Sequence, residues 1–139
     1  MPTRPPTVRR VATVFAVAAV VFLALDAVWL TLMAERLYRP AIGHLMREGF
    51  DLLAAALFYL AYLSGLTVFV VLPAADAGRA LARGALFGFV AYAAYDLTNQ
   101  ATLRDWPWHV TVADLAWGSF VTAVSAAVAR TADTLLTRG

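Results

Sequence analysis

VATVFAVAAVVFLALDAVWLTLM, residues 11–33, carries one charged residue, Asp26, in an otherwise apolar run. About 20 mainly apolar residues in a helix cross a hydrocarbon core of roughly 30 Å. The stretch therefore reads as a membrane span, and its neighbours decide how many more there are. Arg4, Arg9 and Arg10 precede it as they would in a signal peptide or twin-arginine signal. The run is longer than a signal core and no A-x-A-like cleavage site follows, so the reading keeps it as a first helix. Downstream, residues 52–72 contain no charge and stop at Pro73. Residues 81–103 form the weakest candidate, with a clean apolar part from Gly84 to Tyr95 followed by Asp96, Thr98, Asn99 and Gln100. Residues 108–128 complete the set and contain Asp114. The expectation is an all-α protein, a four-transmembrane-helix bundle forming one domain over residues 1–139. The halves show no repeat, and these continuous runs lack the alternation of a membrane β-barrel.

Composition excludes several classes. Apolar residues make up 62% of the chain and charged ones 14%, against roughly half and a quarter in soluble domains. A chain of 139 residues is too small to hide that excess in its own core, and too apolar to stay disordered. With no cysteine there is no disulfide framework, thiolate metal site or cysteine nucleophile. The 11 basic residues are all arginine and scattered, with no block suited to nucleic acid. The remaining partner is the lipid bilayer.

Four spans place both termini and the middle loop on one side. That side holds Arg4, Arg9, Arg10, Arg79, Arg83, Arg130 and Arg138, and the other holds Arg36, Arg39, Arg47 and Arg104. Positive residues favour the cytoplasm, which predicts cytoplasmic termini.

The acids within the spans carry the functional signal. Asp26, Asp96 and Asp114 each fall on the order of 9–11 Å inside a boundary, at 1.5 Å per residue. Alternating helix directions bring those three boundaries to one face, whose loops add Tyr38, His44, Asp105 and His109. The opposite half looks almost devoid of polar groups. Acids in a span are costly and usually face protein or a water-filled cavity. Helical spacing supports this: Gly84, Gly88, Tyr92 and Asp96 recur every four residues, with Asn99 a turn further. Thr111, Asp114, Gly118, Thr122 and Ser125 make a second stripe, and Asp26 shares a face with Phe22 and Trp29. Phe58, Tyr62, Leu66 and Phe69 look like packing positions. Gly84 and Gly88 form G-x-x-x-G, which permits a close helix contact.

The expected ligand-binding set is Asp26, Trp29, Tyr92, Asp96, Asn99, Asp114 and Trp117. Three carboxylates close together in a partly dry site cannot all stay charged without an arginine, a metal or a shared proton. Arg104 or Arg39 is the expected cation. His44 and His109 are interfacial loop residues on the plain reading and metal ligands on the sharper one. Trp106 and Trp108 suit an interfacial aromatic anchor. No GxSxG, HExxH, phosphate loop or dinucleotide fingerprint occurs, and the identity of any cofactor is left open.

Three functions remain open. The first is a one-sided binding site for a polar or cationic ligand, a metal ion or protons. The second is an enzyme at the lipid headgroup level, using paired acids or a metal. The third is a non-catalytic subunit of a larger membrane complex or a homo-oligomer, with structural acids.

Leu25-Asp26-Ala27-Val28-Trp29-Leu30, YRPAIGHLM from Tyr38 to Met46, and FYLAYLSGLTVFVVLPA from Phe58 to Ala74 also form a recognisable series. The most specific block is GALFGFVAYAAYDLTNQATLRDWPWHVTVADLAWGSF, from Gly84 to Phe120. Together they resemble the bacterial membrane-protein family termed domain of unknown function 2177, over about residues 23–126. The resemblance implies a multi-pass protein of the bacterial inner membrane, and it brings no catalytic residue, ligand or cofactor with it.

Overall fold

The computed structural model describes residues 5–138, and these are helical apart from short connections. Four long helices account for most of the chain: α1 (Val8–Met33), α3 (Leu52–Gly65, continued by a π-helical segment Leu66–Val71), α4 (Ala77–Thr102) and α5 (Trp108–Arg138). A short α2 (Arg39–Ile42) lies between α1 and α3. Oxygen-bearing side chains start three of the long helices. Thr7 accepts from the Arg10 amide, Asp51 from Ala54 and Asp76 from Arg79. Each satisfies a free amide of a first turn, and the aspartates also oppose the positive helix end.

Cross-chain contacts fix the directions. Arg10 meets Asp133 and Asp26 meets Trp117, so α1 and α5 are antiparallel. The α4–α5 hairpin is the tightest seam, and three glycines explain why. A Cβ on Gly84 would lie 2.8 Å from the Thr122 carbonyl oxygen. One on Gly88 would strike the Gly118 carbonyl, and one on Gly118 would strike the Tyr92 ring. The G-x-x-x-G stripe is thus occupied within the chain, where small residues let the two backbones approach.

The second hydrophobic run behaves as two halves. Leu63, Leu66, Val70 and Val71 are buried against α1, α4 and α5, whereas Leu52, Leu53, Leu57 and Leu60 are exposed. Of the expected packing positions, Tyr62 and Leu66 are buried, Phe58 packs against Tyr62 but is half-exposed, and Phe69 faces outward. The wider i→i+5 turns of Leu66–Val71 put Val70 and Val71, rather than Phe69, on the packed face.

Residues expected in the first loop are largely helical. A π-helical turn, Ala34–Tyr38, follows α1, then α2 and a 3-10 turn, Gly43–Leu45. The π turn re-aims the chain so that Tyr38 points back into the bundle. Ile42 seals this end against Trp106 and Val110. Trp106 is therefore a buried plug, and Trp108 alone of the expected aromatic anchor is exposed.

The other end also departs from expectation. α5 continues to Arg138, ten residues beyond the expected 128, and carries Asp133 into a buried ion cluster. Arg10 donates twice to Asp133, both at 2.7 Å, and Arg130 donates at 2.5 Å. That half is not free of polar groups, but its acid is matched by two cations.

By length and composition, Val8–Leu45, Leu52–Val71 and Trp108–Arg138 can cross a membrane. α4 is long enough, at about 39 Å for 26 residues. Arg79, Arg83, Asp96, Asn99 and Gln100 lower its hydropathy. The protein is an all-α membrane protein.

Candidate functional site

A cavity of about 440 Å³ lies among the long helices. α1 contributes Asp26, Trp29 and Leu30; the π turn contributes Tyr38; α3 contributes Phe58, Tyr59 and Tyr62. Ala91, Tyr92 and Tyr95 come from α4, and Asp114 and Trp117 from α5. Phe58 and Tyr95 line the cavity yet are 48% and 59% exposed. The cavity thus reaches the surface between α3 and α4, where the outer half of α3 packs mainly on α1.

Two carboxylates lie in this aromatic wall, and each accepts from neutral donors. Asp26 Oδ2 accepts from the Tyr59 hydroxyl at 2.5 Å, and Oδ1 from Trp117 Nε1 at 3.1 Å. Asp114 Oδ1 accepts from the Tyr38 hydroxyl at 2.5 Å. That hydroxyl in turn accepts from Trp29 Nε1 at 2.9 Å. The two indoles stack with centroids 4.5 Å apart and planes 7° from parallel.

The arrangement is reciprocal. Asp26 and Trp29 lie three residues apart on α1, as do Asp114 and Trp117 on α5. Each D-x-x-W pair occupies one helix face, because residues three apart are neighbours there. The antiparallel crossing lets each tryptophan serve the other helix's acid, Trp117 directly and Trp29 through Tyr38. A sequence reading that finds no repeat misses this one because it is only four residues long. Its signal is the recurrence of D-x-x-W in the first and last spans.

Asp96 is placed differently. It is 0% exposed, lies behind the cavity wall, and meets Asp114 carboxyl to carboxyl within hydrogen-bonding reach. Neither Asp96 oxygen finds a donor among the described residues. Asn99 is also outside the cavity and lines a neighbouring groove of about 720 Å³ with Arg39, Arg47 and Tyr95. Asp26, Trp29, Tyr92, Asp114 and Trp117 thus share the cavity, while Asp96 backs Asp114 and Asn99 stands apart. Leu30, Tyr38, Phe58, Tyr59, Tyr62, Ala91 and Tyr95 are the lining residues that sequence reasoning did not select. Tyr59 and Tyr62 sit one turn apart in an uncharged span, where packing and hydrogen bonding look alike in sequence.

The expected arginine partner is not there. Arg39 pairs with Glu35 at 2.6 Å on the surface, and Arg104 is exposed in the α4–α5 connection. Among the described residues no ion pair joins an arginine to Asp26, Asp96 or Asp114. Phenols and indoles occupy the places where guanidinium groups were expected. Their dipoles spread a carboxylate's charge without cancelling it, and in low dielectric an uncancelled charge is costly.

His44 and His109 are both exposed. His44 Nε2 lies 3.5 Å from Asp105. No group of three His, Cys, Asp or Glu among the described residues is placed to hold a metal. Below the cavity, Gln100 ties the α4–α5 turn together. It donates to the Trp106 carbonyl at 2.7 Å and accepts from Thr111, whose hydroxyl accepts from Trp106 Nε1.

No curated protein and no solved structure matches the chain. The family described as "Predicted membrane protein (DUF2177)" matches residues 11–131, nearly the whole bundle with both D-x-x-W pairs, and the chain belongs to it.

Proposed function

We propose that the protein binds an organic cation, of the alkyl- or aryl-ammonium kind, in the aromatic cavity between its helices. The observation carrying this reading is that Asp26 and Asp114 face the cavity with only neutral donors. An entering cation would supply the missing positive charge. The faces of Trp29, Trp117, Tyr59 and Tyr92 add cation–π attraction, worth about 2 kcal/mol or more when desolvated. The gap between α3 and α4 suits an amphiphile entering sideways from lipid. The proposed binding set is Asp26, Trp29, Tyr38, Tyr59, Tyr92, Asp114 and Trp117.

In this reading α4 crosses the membrane as the fourth span. The described arginines Arg9, Arg10, Arg79, Arg83, Arg130 and Arg138 then mark the cytoplasmic side of a bacterial inner membrane; Arg4 lies outside the described residues. The headgroup-level enzyme gains no support, since His44 and His109 are exposed and neither lines the cavity. The larger-complex reading loses the G-x-x-x-G stripe, which α5 occupies.

Tryptophan fluorescence tests the reading. Tetraphenylphosphonium and tetraphenylborate share a shape and differ in charge. Saturable quenching by the phosphonium, absent with the borate and lost in Asp26→Asn/Asp114→Asn, is expected. Equal response to both ions would reject it.

A further inference from the structure

Asp114 lines the cavity, but the Asp96 paired with it does not reach a bound cation. We propose that the pair holds one proton between its carboxyl groups and releases it when a cation binds, making the cavity a proton–cation exchange site. This rests on the cation-binding reading above.

The chemistry follows from donors and acceptors. A carboxylate is acceptor-only, whereas a protonated carboxyl group donates one hydrogen bond. Two ionised carboxylates in contact would offer each other only lone pairs, in a place where Asp96 is 0% exposed and has no other partner among the described residues. One proton turns that repulsion into a charge-assisted O–H···O⁻ bond. It also satisfies an Asp96 oxygen that finds no donor among the described residues. The charged and titratable groups around the pair leave no other remedy. The π turn offers Tyr38, which donates to Asp114 and already accepts from Trp29. α4 offers Tyr95, α1 offers Asp26 across the cavity, and α3 offers Tyr59, which is engaged by Asp26. None is a cation.

Asp26 marks the contrast. Its oxygens have donors of their own, Tyr59 on one and Trp117 on the other. The two sites divide the work: Asp26 attracts, and Asp114 relays the cation's arrival to the proton it shares with Asp96. In the exchange one positive charge enters beside Asp114 and one proton leaves, so the cation takes over from the proton in offsetting the pair's second negative charge and the net charge of the site does not change. The proton leaves by way of Asp114, the member of the pair that lines the cavity. Beyond the cavity, Phe22, Leu66 and Val121 are fully buried. The exchange is therefore with one face.

The test uses the full chain in lipid nanodiscs with tetraphenylphosphonium as probe. Infrared spectra of the wild type should show a protonated carboxyl C=O band that shifts in heavy water and vanishes in Asp96→Asn. Addition of the phosphonium in weakly buffered solution should release one proton per cation bound and remove the band. Apparent affinity should then fall about tenfold for each pH unit below the pair's titration. Binding without proton release overturns this inference and leaves the cavity reading standing. A wild type lacking the band also overturns it, whatever the fate of the variant. Failure of the phosphonium to bind at all overturns the cavity reading, and this inference with it.

Discussion

Removing one oxygen atom, in Tyr38→Phe, tests the reciprocal network more sharply than deleting a carboxylate. The Tyr38 hydroxyl makes two bonds: it donates to Asp114 at 2.5 Å and accepts from Trp29 at 2.9 Å. Side-chain hydrogen bonds inside membrane bundles average about 0.6 kcal/mol and reach about 1.7. Two lost bonds therefore give about 1.2 kcal/mol, with an upper limit of about 3.4. Tyr59→Phe removes only the bond to Asp26, whose other oxygen keeps its Trp117 donor. Its cost should be about 0.6 kcal/mol. Both changes leave the ring in place, so packing is nearly preserved and the ordering isolates the hydroxyl bonds. Reversible unfolding in mixed micelles, followed by circular dichroism, reads the difference directly. The Tyr38→Phe, Asp114→Asn double-mutant cycle should show coupling of at least about 0.5 kcal/mol. A Tyr38→Phe variant no less stable than Tyr59→Phe, or an additive cycle, refutes the network as drawn.

Other outcomes follow from the same packing. Gly88→Leu should prevent the α4–α5 seam from closing and abolish a folded bundle, because its side chain meets Gly118 backbone. Gly43→Ala, whose new Cβ has 3.9 Å to Arg39, should fold normally and melt no lower than wild type. Asp133→Ala should cost about 3 kcal/mol or more, since it leaves Arg10 and Arg130 without their buried partner. Asp105→Ala, at an exposed position, should cost under about 0.5 kcal/mol in the same unfolding assay. The cysteine-free chain allows clean single-cysteine labelling: Thr137→Cys and Ala75→Cys should react from the cytoplasmic side and His44→Cys from the other. Labelling of all three from one side would overturn four spans.

The sequence shows that this is a helical membrane protein because hydrophobic length is a local property, legible in residues 11–33 alone. The inward stripes of α4 and α5 are equally legible, since helical spacing puts Gly84, Gly88 and Asp96, or Asp114, Gly118 and Thr122, on one face. Partner identity is not local. An acid in a span demands a donor, but arginine, tyrosine and tryptophan all satisfy that demand, and distance in sequence says nothing of which arrives. Tyr38 enters the site only because a π-helical turn bends the chain back after Met33, and no residue in AERLY requires that turn. Asp133 is not singled out by the sequence, because α5 runs past its apolar stretch and Arg10 meets it from 123 positions away. That Asp96 stands behind Asp114 depended on how closely the glycines let α4 approach α5.

The central claim is that a cation sits between Asp26 and Asp114 against the tryptophan pair. Tetraphenylarsonium carries an arsenic atom whose anomalous X-ray scattering locates it without ambiguity. In crystals of the full chain grown with this ion, the account predicts one strong anomalous peak inside the cavity, bounded by Trp29, Trp117 and Tyr59. The peak should disappear in Asp26→Asn/Asp114→Asn crystals grown alike. A peak outside the bundle, or one in the cavity that persists without the two carboxylates, contradicts it.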